Sequence, residues 1–129
     1  MTLVTVASKC NKPLETKYAL SIRNNSDHGI LYYVANVNME HVYPDTALLT
    51  NRPAMQVIPP GKYGVWSISY PFEEFMPELP ADTLSVYLFH QDSVNQIPWS
   101  QIRDNYKVLK RYDLSLQDLQ NSNFTIQYP

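Results

Sequence analysis

Three histidines, one cysteine and twelve carboxylates are the whole stock from which this chain could build an acid–base, nucleophilic or metal-assisted site. His28, His41 and His90 lie far apart in sequence. None has a second ligand-type residue at a recognised metal-binding spacing. The adjacent Glu73 and Glu74 are the residue type that glycoside hydrolysis uses in pairs, but neighbours on a helical turn diverge and no converging carboxylate is evident. They read as a solvated face. With three glycines in all, there is no glycine-rich loop to cradle phosphate. Cys10 has no nearby base to hold it as a thiolate. What remains for catalysis is a site assembled in space from His41, Asp45, His90 and Asp92 on loops. The reading adopted is the other one: no catalytic residue, no cofactor and no metal.

Binding chemistry is better represented. Ten tyrosines, two tryptophans and four phenylalanines make an aromatic-rich chain. Exposed tyrosines serve protein contacts, and aromatic faces also stack on sugar rings. The plainer account is that tyrosine suits half-buried strands, its ring over the core and its hydroxyl in water. The best candidate surface is the long connection over residues 38–53, because connections of that length in a small domain are uncommon unless functional. It carries His41, Tyr43 and Arg52, side chains typical of recognition hot spots, between Pro44 and Pro53. The competing account is a loop that caps the end of the fold with Leu48 and Leu49 tucked beneath it. The partner implied is a protein or a glycan.

The elements that must position these residues are mostly strands. Tyr18, Leu20 and Ile22 alternate with Ala19, Ser21 and Arg23, a strand with one buried face. A turn cluster over residues 24–29 leads into residues 30–37, apolar on both faces, and the two runs together read as a β-hairpin. Residues 44–49 suit one helical turn opened by Pro44. A short strand over 55–58 runs into Pro59-Pro60-Gly61-Lys62, a turn of type II with Pro60 and Gly61 at its centre. Residues 63–70 alternate again, with either Val65 or Trp66 inside. Residues 71–76 suit a helical turn ended by Pro77 and Pro80. The run over 84–89 is apolar on both faces, as a central strand is. Pro98 opens a short helix with Trp99, Ile102 and Tyr106 on one side, and residues 107–112 return to strand. Ser115 and Asp118 have capping-box spacing, with Asp113 a rival cap. Phe124, Ile126 and Tyr128 then alternate as a final strand.

About seven strands punctuated by turns predict a mainly β fold: an antiparallel β-sandwich, immunoglobulin- or transthyretin-like, with one or two short helices. Its core should hold Leu20, Ile22, Val34, Val86, Leu88, Phe124 and Ile126. Residues 15–129 form a single domain behind a leader over residues 1–14. At 129 residues with 44% hydrophobic and 17% charged content, the chain is an ordinary folded domain and not a disordered one. A net charge of −2 with scattered basic residues gives no footprint for nucleic acid. No apolar run reaches the roughly 20 residues of a transmembrane helix. The segment Leu3-Val4-Thr5-Val6-Ala7-Ser8-Lys9-Cys10 is similar to the tail of a lipoprotein signal ending at a lipidated cysteine. Lys9 stands where a small residue is expected, and the apolar part is short. The alternative is a leader with a free thiol, or Leu3-Val4-Thr5-Val6 as a strand of its own.

The run Trp99…Ile102-Arg103…Asn105-Tyr106…Leu109-Lys110-Arg111-Tyr112-Asp113-Leu114-Ser115-Leu116-Gln117-Asp118-Leu119, followed by Ile126-Gln127-Tyr128-Pro129, resembles the end of a group of small uncharacterised proteins of Bacteroides-type bacteria. Many of those proteins are exported or lipid-anchored. The resemblance is clearest over residues 99–129 and transfers no catalytic or binding residue. It implies a bacterial cell-envelope or exported setting, a cytoplasmic one being the alternative, with membrane association only if Cys10 is lipidated.

Overall fold

Period-two alternation becomes two sheets of opposite character. The computed structural model describes residues 18–129; the leader, Cys10 and the Leu3-Val4-Thr5-Val6 segment lie outside the described residues. Strand β1 (Tyr18–Asn24) is the middle strand of a three-stranded sheet, between β4 (Tyr63–Ile68) and β7 (Thr125–Tyr128). The second sheet has four strands in the order β3 (Gln56–Ile58), β2 (Ile30–Ala35), β5 (Leu84–His90), β6 (Lys110–Leu114). Among the described residues the chain is therefore mainly β, with seven strands in two sheets. Every pairing is antiparallel except one: β1 runs parallel to β7, with Ile22 opposite Ile126.

The inner faces of both sheets share one apolar cluster. Leu20, Ile22 and Ile126 come from the three-stranded sheet, and Ile30, Val34, Val86 and Leu88 from the four-stranded one. Six of the seven residues expected in the core are fully or nearly buried; Phe124 is half-buried against the same cluster. In β4 the inward residue is Trp66, while Val65 is 48% exposed on the outer face. Gly64 lies close against the opposite sheet. A Cβ there would lie 3.0 Å from Ile58 and from the Tyr32 ring, so a larger side chain would push them apart.

The expected β1–β2 hairpin does not form. The two strands lie in different sheets, and the turn between them is a corner that crosses from one layer to the other. Asn24, completely buried, is the reason. Its side-chain Nδ2 donates to His28 O at 2.8 Å and to Ile58 O at 2.9 Å, and its Oδ1 accepts the Ser26 N–H at 3.0 Å. The second crossing, from β3 to β4, has the expected type II character: Lys62 N–H donates to Pro59 O at 3.1 Å and Gly61 has φ +75°. The two corners are tied together, since Gly61 N–H donates to Asn24 O (2.8 Å) and Asn24 N–H to Lys62 O (2.9 Å).

Strands β2 and β5 are buried on both faces, and the four-stranded sheet has a second cluster on its outer side: Leu31, Tyr33, Tyr87 and Phe89 beneath Leu48, Leu49, Val94 and Ile102. Its cover is the loop before β3 together with two helices, α2 (Gln91–Gln96) and α3 (Trp99–Asp104). The loop is pinned by Trp99 Nε1, which donates to Leu49 O at 2.9 Å. Residues 44–49 form no helical turn; Leu48 and Leu49 extend across the sheet. Where one or two short helices are expected, four α-helices occur among the described residues. The others are α1 (Phe72–Phe75), which continues into a 3-10 turn at Met76–Glu78, and α4 (Leu116–Asn121). At α4 the capping box is complete: Ser115 Oγ accepts the Asp118 N–H (3.1 Å) and Asp118 Oδ2 accepts the Ser115 N–H (3.0 Å). The unexpected helix, α2, is capped by His90, whose Nδ1 accepts the Asp92 N–H at 3.2 Å.

Candidate functional site

The loop singled out for recognition lies flat on the outer face of the four-stranded sheet. His41 and Asp45 are joined within it, Nδ1 to Oδ2 at 2.8 Å. Asp45 also accepts the Ala47 N–H at 2.9 Å, and that bond, followed by His41, holds its carboxyl below the usual carboxylate range. Glu40 takes the Thr50 N–H at 2.7 Å, which lowers its carboxyl in the same way. These bonds all close inside the loop. Arg52 is exposed at the far end, and Tyr43 is half-buried against the sheet. The three residues His41, Tyr43 and Arg52 therefore do not form one surface: Tyr43 faces inward, Arg52 outward.

Beneath Tyr43 lies a row that sequence reading missed. The registers place Tyr33 opposite Tyr87 and Tyr87 opposite Arg111, so three side chains stand abreast on neighbouring strands. The Tyr33 and Tyr87 rings stack at 4.8 Å between centroids, 5° from parallel. The Arg111 guanidinium carbon is 5.2 Å from the Tyr87 centroid and 5.9 Å from that of Tyr43, so the cation sits between two aromatic faces. Arg111 Nε donates to Asp113 Oδ1 at 2.9 Å, and Asp113 also accepts the Ser85 hydroxyl at 2.6 Å. Burial pushes the Tyr87 phenol up to about 12 and the Tyr33 phenol higher still, with the neighbouring Tyr87 adding to the rise at Tyr33. Both hydroxyls stay protonated at neutral pH. The available signal was the doubly apolar character of β2 and β5, which calls for a covering layer; which residue of that layer meets Arg111 is not written in any local spacing.

A groove opens at the edge where the two sheets part, reaching Tyr33 at the end of that row. Among the described residues, strand β4 bonds only to β1, and β3 covers only Ile30, Leu31 and Tyr32 of β2. Between these edges is a groove of about 630 Å³, lined by Tyr32, Tyr33, Val34, Met39, Ala54, Gln56, Val57 and the β4 residues 63–67. None of these side chains is charged. Tyr32 Oη reaches across it to donate to Val65 O at 3.1 Å. In an antiparallel ladder a residue's N–H and C=O point to the same side and alternate along the strand. The Val65 carbonyl faces the groove, so the backbone groups of Tyr63, Val65 and Ser67 all face it. Tyr63 (61%), Val65 (48%) and Val57 (46%) are among the most exposed large apolar side chains of the described residues.

The loop-built catalytic set separates into two local pairs. His41 bonds Asp45, while His90 bonds the Asp92 backbone and stacks on His28 at 4.2 Å. No hydrogen bond or ion pair links the two pairs among the described residues. His28 is half-buried between His90 and Tyr128. Among the described residues no three His, Cys, Asp or Glu side chains converge as the ligands of a metal ion would, and no helix is long and apolar enough to cross a membrane. Comparison with protein-family models, curated proteins and solved structures finds no match to this chain.

Proposed function

We propose that the protein is a non-catalytic binding or accessory module of the bacterial cell envelope, and that it holds an extended segment of a partner protein in the groove between β4 and β2. The observation that carries this reading is the edge of β4, unpaired among the described residues, above an uncharged, aromatic-lined floor. An extended peptide completes such an edge with main-chain hydrogen bonds, and its alternate side chains fall into the groove. Tyr32 already occupies one acceptor, Val65 O, in the way a missing strand would. The absence of charge on the lining favours apolar and small polar residues in the bound segment over an acidic or basic one. A glycan fits less well, because the groove offers backbone donors and acceptors in a linear array instead of polar side chains. The envelope setting is supported by the resemblance of residues 99–129 and by nothing in the fold.

Selection from a displayed library of random eight-residue peptides, followed by amide exchange on the complex, tests the reading. Enriched peptides should alternate apolar and small polar residues and should protect the Val65 and Ser67 amides. Val65→Lys, on a half-exposed edge position, should abolish binding while leaving the fold intact. Enriched peptides that bind Val65→Lys as well as wild type, or an unprotected β4 edge in the complex, would remove the groove from consideration.

A further inference from the structure

Arg111 presents an imbalance that the fold alone does not explain. Its side chain is only 10% exposed, yet among the described residues both Nη atoms are shut off from solvent without an acceptor. The Tyr87 hydroxyl, fully buried beside it, is equally without a partner. The one ion pair runs through Nε to Asp113, which leaves the four N–H bonds of the Nη fork aimed elsewhere. Against the lowering effect of burial, the Tyr106 hydroxyl stands beside the guanidinium and raises its pKa as a hydrogen-bond acceptor would, without reaching full hydrogen-bond geometry at either Nη. A buried guanidinium with its fork unmet is a strongly unfavourable arrangement unless something supplies oxygen atoms.

We propose that the Arg111 fork and the Tyr87 hydroxyl, sandwiched beneath Tyr43, form a binding site for a compact oxyanion, a small carboxylate or an inorganic phosphate or sulfate. The chemistry is one-sided in the way such a site requires. Every unmet group on Arg111 is a donor, the fork is planar, and two parallel N–H bonds match two carboxylate or oxyanion oxygens. The Tyr87 phenol supplies a third donor that does not ionise near neutral pH. Tyr43 and Tyr87 hold the guanidinium plane from either side and fix the direction of the fork.

Access is under the loop. The exposed stretch over residues 44–47 is held chiefly by bonds internal to the loop: His41 to Asp45, Ala47 N–H to Asp45, and Asp45 N–H to Val42 O (2.9 Å). For an oxyanion to enter, this stretch must lift with Tyr43 while Leu48 and Leu49 stay anchored on the sheet. The oxyanion site and the β4 groove belong to different parts of the loop and sheet, so either can fail without the other.

The test is a titration of the full chain with sodium formate, acetate, phosphate and sulfate, against sodium chloride at matched ionic strength. It follows the melting temperature and the resonances of Tyr43, Tyr87 and Arg111. At least one oxyanion should give a saturable shift that chloride does not. Arg111→Lys keeps the charge and loses the fork, and should weaken that binding by about tenfold or more; Tyr87→Phe keeps the ring and should weaken it by roughly three- to tenfold. Should Arg111→Lys fail to fold, Tyr87→Phe carries the test, since it removes only an unpartnered hydroxyl. Saturation by formate or acetate alone assigns a carboxylate, and by phosphate or sulfate an inorganic oxyanion; either supports the site. No saturable shift with any of the four, or one that is unchanged in Tyr87→Phe, overturns it.

Discussion

Asn24 is the residue whose loss should be felt furthest through the fold. Replacing it by alanine removes two donors from buried carbonyls, His28 O at 2.8 Å and Ile58 O at 2.9 Å, and the acceptor for the Ser26 N–H at 3.0 Å. Each such bond contributes about 0.5–1.5 kcal/mol net, and more where the abandoned group cannot reach water. The site is fully buried, so three bonds and a small void sum to about 3 kcal/mol. For a urea slope of about 2 kcal/mol/M, the unfolding midpoint should fall by about 1.5 M with the slope unchanged. Asn24→Asp should be no better, because it keeps the acceptor, loses both donors and buries a charge. Both sheet crossings hang on this residue, so amide exchange should quicken in β1 and β3 together. A midpoint within about 0.3 M of wild type would mean that water replaces the amide, and that the corner holds through its backbone bonds alone.

Three further outcomes follow from the structure. Leu88, fully buried between the sheets, should cost about 2–5 kcal/mol when cut to alanine, measured by denaturant unfolding. Ser115→Ala breaks one half of the α4 capping box and should cost about 1 kcal/mol, with the far-ultraviolet helical signal nearly unchanged. The Tyr87 phenol, ordinarily ionising near 10, is held up to about 12 in the folded chain. Between those values the unfolded chain sheds a proton that the folded chain keeps. Stability from this group is therefore complete below pH 10 and lost as pH rises toward 12, by about 2–3 kcal/mol in all. Tyr87→Phe should flatten that part of the pH–stability curve, and a variant curve that overlays the wild type would refute the assignment.

The strands were legible because period two is a local signal: β1, β4 and β7 each show it in a few residues, and the Ser115–Asp118 cap is a four-residue pattern. Sheet membership was not legible. A five-residue connection such as 25–29 suits a hairpin as well as a crossing, and the choice was made by Asn24 bonding Ile58, far along the chain. Helix α2 escaped because its cap is a histidine, a residue that seldom announces a helix start. In the long loop Leu48 and Leu49 were readable as anchors, although they cover the sheet's outer face and not the end of the fold. Arg111 read only as a strand residue, since Tyr43, Tyr87 and Arg111 meet solely through tertiary register.

The single parallel pairing bears on how the protein is made. Strand β1 is made long before β7, the neighbour that completes its sheet, with the whole four-stranded sheet between them in the chain. Until Tyr128 has been polymerised, Ile22 lacks the wall that Ile126 and Leu119 provide, and β1 exposes a bare edge to whatever it meets. Contacts this distant in sequence form slowly, and an open edge in the interval invites pairing with other chains. The three-stranded sheet therefore closes only once β7 has been made, and the β7 side of β1 stays open until then.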